Sequence, residues 1–182
     1  MDDRLPGIRP RPSLWRRLDM MARRGFPGTL TAILLLLAAS PLGIPGQAQM
    51  QMAVALCCVF FWSVFRPASM PPWMVFLLGL LTDLIGFVPV GVGVLLLLAV
   101  HGLALRWRRL LTRQGFVAVW IVLALLGLGA ALLQWALISL LTFRLLPIGP
   151  ALFLAVLIAG AYPILAVPLT RAHRTLAEPE AA

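Results

Sequence analysis

Four side chains in this sequence are of types that could do chemistry in an apolar setting: Asp83, His101, Gln134 and Tyr162. Asp83 stands in FLLGLLTDLIGFVPVGVG, residues 76–93, a stretch otherwise apolar enough to lie in lipid. An ionisable group at the centre of a bilayer costs roughly 2.5 to 3.5 kcal/mol even on lenient insertion scales, so something must hold it. On a helix, Phe76, Gly79, Asp83 and Gly86 share one face, and small residues there let a neighbouring backbone come close. At 1.5 Å per residue, Asp83 lies roughly 6 to 10 Å from the end of its segment, and His101 on the returning segment roughly 13 Å from the same end. His101, Gln134 and Tyr162 are therefore candidate intramembrane partners of Asp83. A carboxylate beside an imidazole could relay protons. Alternatively, Asp83 accepts backbone N–H groups of the irregular GFVPVGVG connection and His101 is an interior histidine satisfied by a neighbour.

Other chemistry is not indicated. The sequence holds two histidines, and only Asp83 among its acidic residues falls within an apolar segment. No nucleophile sits beside a base, no glycine-rich loop is placed to cradle a phosphate, and no ligand spacing fits a metal. Ser40, Ser63 and Ser139 have no titratable base nearby in sequence. Cys57 and Cys58 are adjacent, where a mutual bridge is sterically poor. No enzyme activity, cofactor, catalytic residue or metal site is expected.

The elements that must position these residues are membrane helices. The chain is 62% hydrophobic over 182 residues, against roughly 45 to 50% apolar in soluble domains. About 20 apolar residues are needed to cross roughly 30 Å of hydrocarbon. The apolar runs predict an all-α integral membrane protein, a bundle of about six transmembrane helices. The expected spans are 26–44, 50–65, 72–87, 92–105, 115–143 and 148–170. They form a domain over 26–170, between a basic N-terminal segment, 1–25, and a tail, 171–182. Pro163 and Pro168 predict a kink and a frayed end in the last span.

All fifteen basic residues are arginines. In the six-span model Arg4, Arg9, Arg11, Arg16, Arg17, Arg23, Arg24, Arg66, Arg106, Arg108, Arg109, Arg113, Arg171 and Arg174 fall on one side, and only Arg144 on the other. The positive-inside rule then places both termini in the cytoplasm. The net charge of +9 is thus a topology signal and not a nucleic-acid footprint. Ahead of the first span, SLWRRLDMMARR places Leu14, Trp15, Leu18 and Met21 near one helical face, which suits either a short helix lying on anionic lipid or a disordered positive-inside anchor. A competing expectation treats LTAILLLLAA and the small-residue site near GQAQ as a cleaved signal peptide.

Trp62, then Arg66-Pro67, then Pro71-Pro72 entering a span, then GLLTDLIGFVPVG over 79–91, resemble the MreD family of rod shape-determining proteins of the bacterial inner membrane. The four arginines after the fourth span, LLQWALISLLTFRLLP over 132–147 and the proline-containing last span are also similar to that family. QMQM replaces a Pro-Asp-like start of the second span, and PVG replaces the PLG turn, with Phe87 ahead of it. By position, Gly79, Asp83, Gly86, Pro89 and Gly91 match the family motif. The resemblance implies a non-enzymatic scaffold of cell elongation and side-wall peptidoglycan synthesis. It would bind an MreC-like single-pass protein and work with an MreB-like cytoskeleton, a RodA-like glycosyltransferase and a class B penicillin-binding transpeptidase. The alternative is the substrate-binding membrane subunit of an energy-coupling-factor-like transporter, with a small molecule held by Asp83, His101 or Gln134.

Overall fold

The computed structural model describes residues 14–40, 45–86 and 89–177, with side chains placed over 25–40, 45–86 and 89–171. The apolar face expected over Leu14, Trp15, Leu18 and Met21 lies outside the described side chains, and the first thirteen and last five residues lie outside the described chain.

Six α-helices account for nearly all of it: α1 (Leu14–Ala38), α2 (Gln47–Phe65), α3 (Pro72–Gly86), α4 (Val92–Leu111), α5 (Phe116–Thr142) and α6 (Gly149–Ala177), with one turn of 3₁₀-helix over Pro67–Ser69. No strand occurs among the described residues. Gln47–Phe65, Phe116–Thr142 and Gly149–Arg171 are long and apolar enough to cross a membrane, while Gly25–Ala38 and Pro72–Gly86 are shorter apolar helices. The chain is therefore an all-helical protein of membrane composition.

Three boundaries differ from expectation. A short helix or a disordered anchor ahead of the first span was expected, but α1 continues from Leu14 through Pro27 without interruption. It also stops at Ala38, where Gln47 Nε2 donates to the Ala38 carbonyl at 3.3 Å and to that of Ser40. α4 continues six residues past Leu105, because Arg, Trp and Leu propagate a helix after the apolar run has ended. α6 remains helical through Pro163 and Pro168, with a compensation described below.

α2 is the axis of the fold. Apolar on every side, it is buried almost throughout from Gln51 to Val64, as expected of a helix without a polar face. It packs against α1, α3, α4 and α6, with α3 paired to α4 and α5 to α6. Cys57 and Cys58 are free and buried in this core.

Candidate functional site

The site is the α3–α4 turn and the helix ends beneath it. α4 begins after Gly91, whose φ of 106° is a left-handed conformation open chiefly to glycine. The first N–H groups of any helix lack partners, and Gly91 has no side chain to serve them. Asp83 does so from α3. Its Oδ2 accepts from the Gly91 N–H at 2.8 Å and the Val94 N–H at 3.4 Å, and its Oδ1 accepts from the Gly93 N–H at 2.7 Å. The positive end of the α4 dipole favours an anion here, and Asp83 is 1% exposed.

Glycines make this approach feasible. A Cβ on Gly79 would stand 2.5 Å from Val94 Cα and 2.9 Å from Val94 N, so the α3 and α4 backbones touch at that level. A Cβ on Gly93 would strike the Asp83 carboxylate itself. Thr82 Oγ1 donates back to the carbonyls of Leu78 and Gly79, at 3.0 and 2.7 Å. Gly86 closes α3 half-buried, and Pro89 receives the Val92 N–H on its carbonyl at 3.2 Å. Phe76, expected on the packed face, is 46% exposed; the buried face is centred instead on Val75, Leu78, Gly79 and Thr82.

None of the three candidate partners makes a hydrogen bond described for Asp83. His101 Nδ1 lies 2.7 Å from Ser63 Oγ on α2. Ser63 Oγ also donates to the Val59 carbonyl at 2.5 Å, so one hydroxyl joins the imidazole of α4 to the backbone of α2. Both residues are buried, and the contact ties α2 to α4. Sequence reasoning missed it because 38 residues separate the partners. Tyr162 is packed edge-on against Phe60 and stacked on Phe116. Gln134 lines a cavity of about 230 Å³ between α5 and α6, with Gln49, Trp135 and Pro147 among its neighbours. Its Oε1 is buried without a donor.

At the opposite end of α4, Arg108 Nε donates to the Val64 carbonyl at 2.9 Å, covering one of the last carbonyls of α2, where a cation also suits the helix dipole. No group of three or more His, Cys, Asp or Glu side chains gathers among the described residues. At the α3–α4 turn the arrangement binds one helix to the backbone of the next. No protein-family model, curated protein or solved structure matches the chain.

Proposed function

We propose that this chain is a non-enzymatic, MreD-like scaffold of cell elongation, spanning the bacterial inner membrane six times and binding an MreC-like single-pass protein. The observation that carries the reading is the use made of the residues bearing the resemblance. Asp83, Gly79 and Gly91 lock two helices into one rigid hairpin, which suits a surface on which other chains assemble. The resemblance supplies the partners: the MreC-like protein directly, and through it the MreB-like filament, the RodA-like glycosyltransferase and the class B transpeptidase.

Depletion in the native bacterium tests this. Rods should become spheres, because side-wall synthesis is no longer directed along the cylinder. Complementation with Gly79→Leu should fail, since the added side chain has to displace the α4 backbone, and pull-down of the MreC-like partner should fall in parallel. Cells that stay rod-shaped with partner binding intact, but need one added nutrient to grow, would overturn the scaffold reading in favour of transport, with the Gln134 cavity as the place to look.

A further inference from the structure

Where the α5–α6 connection folds back, α2, α5 and α6 border a cavity of about 230 Å³. Its walls are mostly apolar, with Trp135 and Ile138 from α5, Leu146 from the connection and Leu154 from α6. Two carboxamides interrupt them, Gln49 of α2 and Gln134 of α5. Trp135 is already engaged, its indole N–H donating to the Leu146 carbonyl at 2.9 Å. Gln134 is not: its Oε1 is buried without a donor, a state that folded proteins avoid.

Size and wall chemistry narrow what would relieve it. A dry apolar cavity of about 150 Å³ takes benzene, so this one has room for a ring and a substituent. No titratable side chain is among the described residues that line it, and an ion buried without a counter-charge is far more costly than a neutral group. An acyl chain or an apolar helix face would cover the walls and leave Gln134 unserved. Water would serve Gln134 and leave the walls uncovered. A neutral hydroxyl or amide both donates and accepts, so it can pair with the carboxamide whichever way its two ends are turned. An apolar body attached to that group covers the rest.

We propose that this cavity binds a small uncharged molecule, a ring or short hydrocarbon bearing one hydroxyl or amide group, with that group on Gln134 and the apolar body against Trp135, Ile138 and Leu154. Neither Asp83 nor His101 lines it, and the site stands independently of the scaffold reading.

The full-length protein is reconstituted in phosphatidylcholine vesicles at about pH 6, where a phenol is un-ionised. It is titrated with 4-bromophenol or with bromobenzene, the same ring without the hydroxyl, since bromine quenches tryptophan on contact. The signal is the quenching of wild type less that of Trp135→Phe. With 4-bromophenol it should saturate, at a concentration roughly tenfold lower in wild type than in Gln134→Met, as the loss of one hydrogen bond provides. Bromobenzene needs only the walls and should quench both alike, which shows that the variant keeps its cavity. If the variant loses both probes, wild type decides alone: 4-bromophenol must saturate at a lower membrane concentration than bromobenzene, or the proposal falls. Quenching that rises without saturating is partition into the bilayer and overturns it, as does saturable quenching that Gln134→Met leaves unchanged. A cavity filled by water alone, by lipid or by a second copy of the chain gives no hydroxyl-dependent quenching of Trp135, which overturns it equally.

Discussion

Two carboxyl oxygens accept from three backbone N–H groups, both oxygens being used, and that arrangement decides how Asp83 should respond to substitution. Asparagine keeps one acceptor but turns an NH₂ group toward a backbone N–H, because both oxygens of Asp83 receive bonds. Asp83→Asn should therefore weaken the cap, and Asp83→Ala should remove it and leave Gly91, Gly93 and Val94 unserved. Each buried donor left bare costs about 1 to 3 kcal/mol. Thermal unfolding in detergent should rank wild type above Asn and Asn above Ala. An Asn variant that unfolds with wild type would show that a single acceptor is enough for the cap and would overturn this ranking. The need for a partner was legible in sequence, since a lone carboxylate among apolar residues demands one. Which partner was not, because His101 lay at a similar depth, Gln134 and Tyr162 were further polar groups in the apolar spans, and the local backbone was equally near; only the turn geometry separates them.

A helix that runs through a proline must dispose of a carbonyl. Pro163 has no N–H to give to Ala159, one turn earlier in α6, and a bare carbonyl in hydrocarbon is costly. Trp120 of α5 supplies the missing donor, its indole N–H reaching the Ala159 oxygen at 2.7 Å. The replacement donor comes from another element, invisible to any local reading of Pro163. Trp120→Phe should destabilise the α5–α6 pair by about 1 to 3 kcal/mol. Pro163→Ala restores an N–H for Ala159, so the same substitution should cost markedly less in that background. A double-mutant cycle on thermal stability measures the difference, and a coupling near zero would show that Trp120 acts by packing alone. The helix starts at Pro72, Val92, Phe116 and Gly149 lie within a residue of those read from the breakers. α2 begins at Gln47, three residues ahead of the expected start at 50, and is buried almost throughout.

Contacts between elements sort the bundle into two ends. At one, Gly93 of α4 meets Asp83 of α3 and Met52 of α2, Gly46 abuts Phe153 of α6, and Gln49 shares a cavity with Leu146 and Pro147. At the other, Arg108 of α4 binds the last turn of α2, and Arg171 of α6 lies by Phe116 at the start of α5. Arg66, Arg106, Arg108, Arg109, Arg113 and Arg171 belong to this second end and Arg144 to the first, the division that the six-span reading expects of a cytoplasmic and an outer face. α3 is the weak member: its 15 residues extend about 22 Å, short of a roughly 30 Å hydrocarbon layer. A backbone group can sit below the membrane surface only if protein satisfies it, and Asp83 does so for the N–H groups of Gly91, Gly93 and Val94. A short α3 can therefore still cross, with its capped turn recessed. Reporter fusions after Arg66 and after Arg113 should register cytoplasm, and fusions near Gln47, Val90 and Pro147 the outer side. The informative pair is Arg66 and Val90, on either side of α3: if both report the cytoplasm, α3 enters and leaves by the same face and the six-span topology fails. In the Asp83→Ala variant, whose turn has lost its internal partners, the Val90 fusion should shift toward mixed orientation while the Arg113 and Pro147 fusions hold.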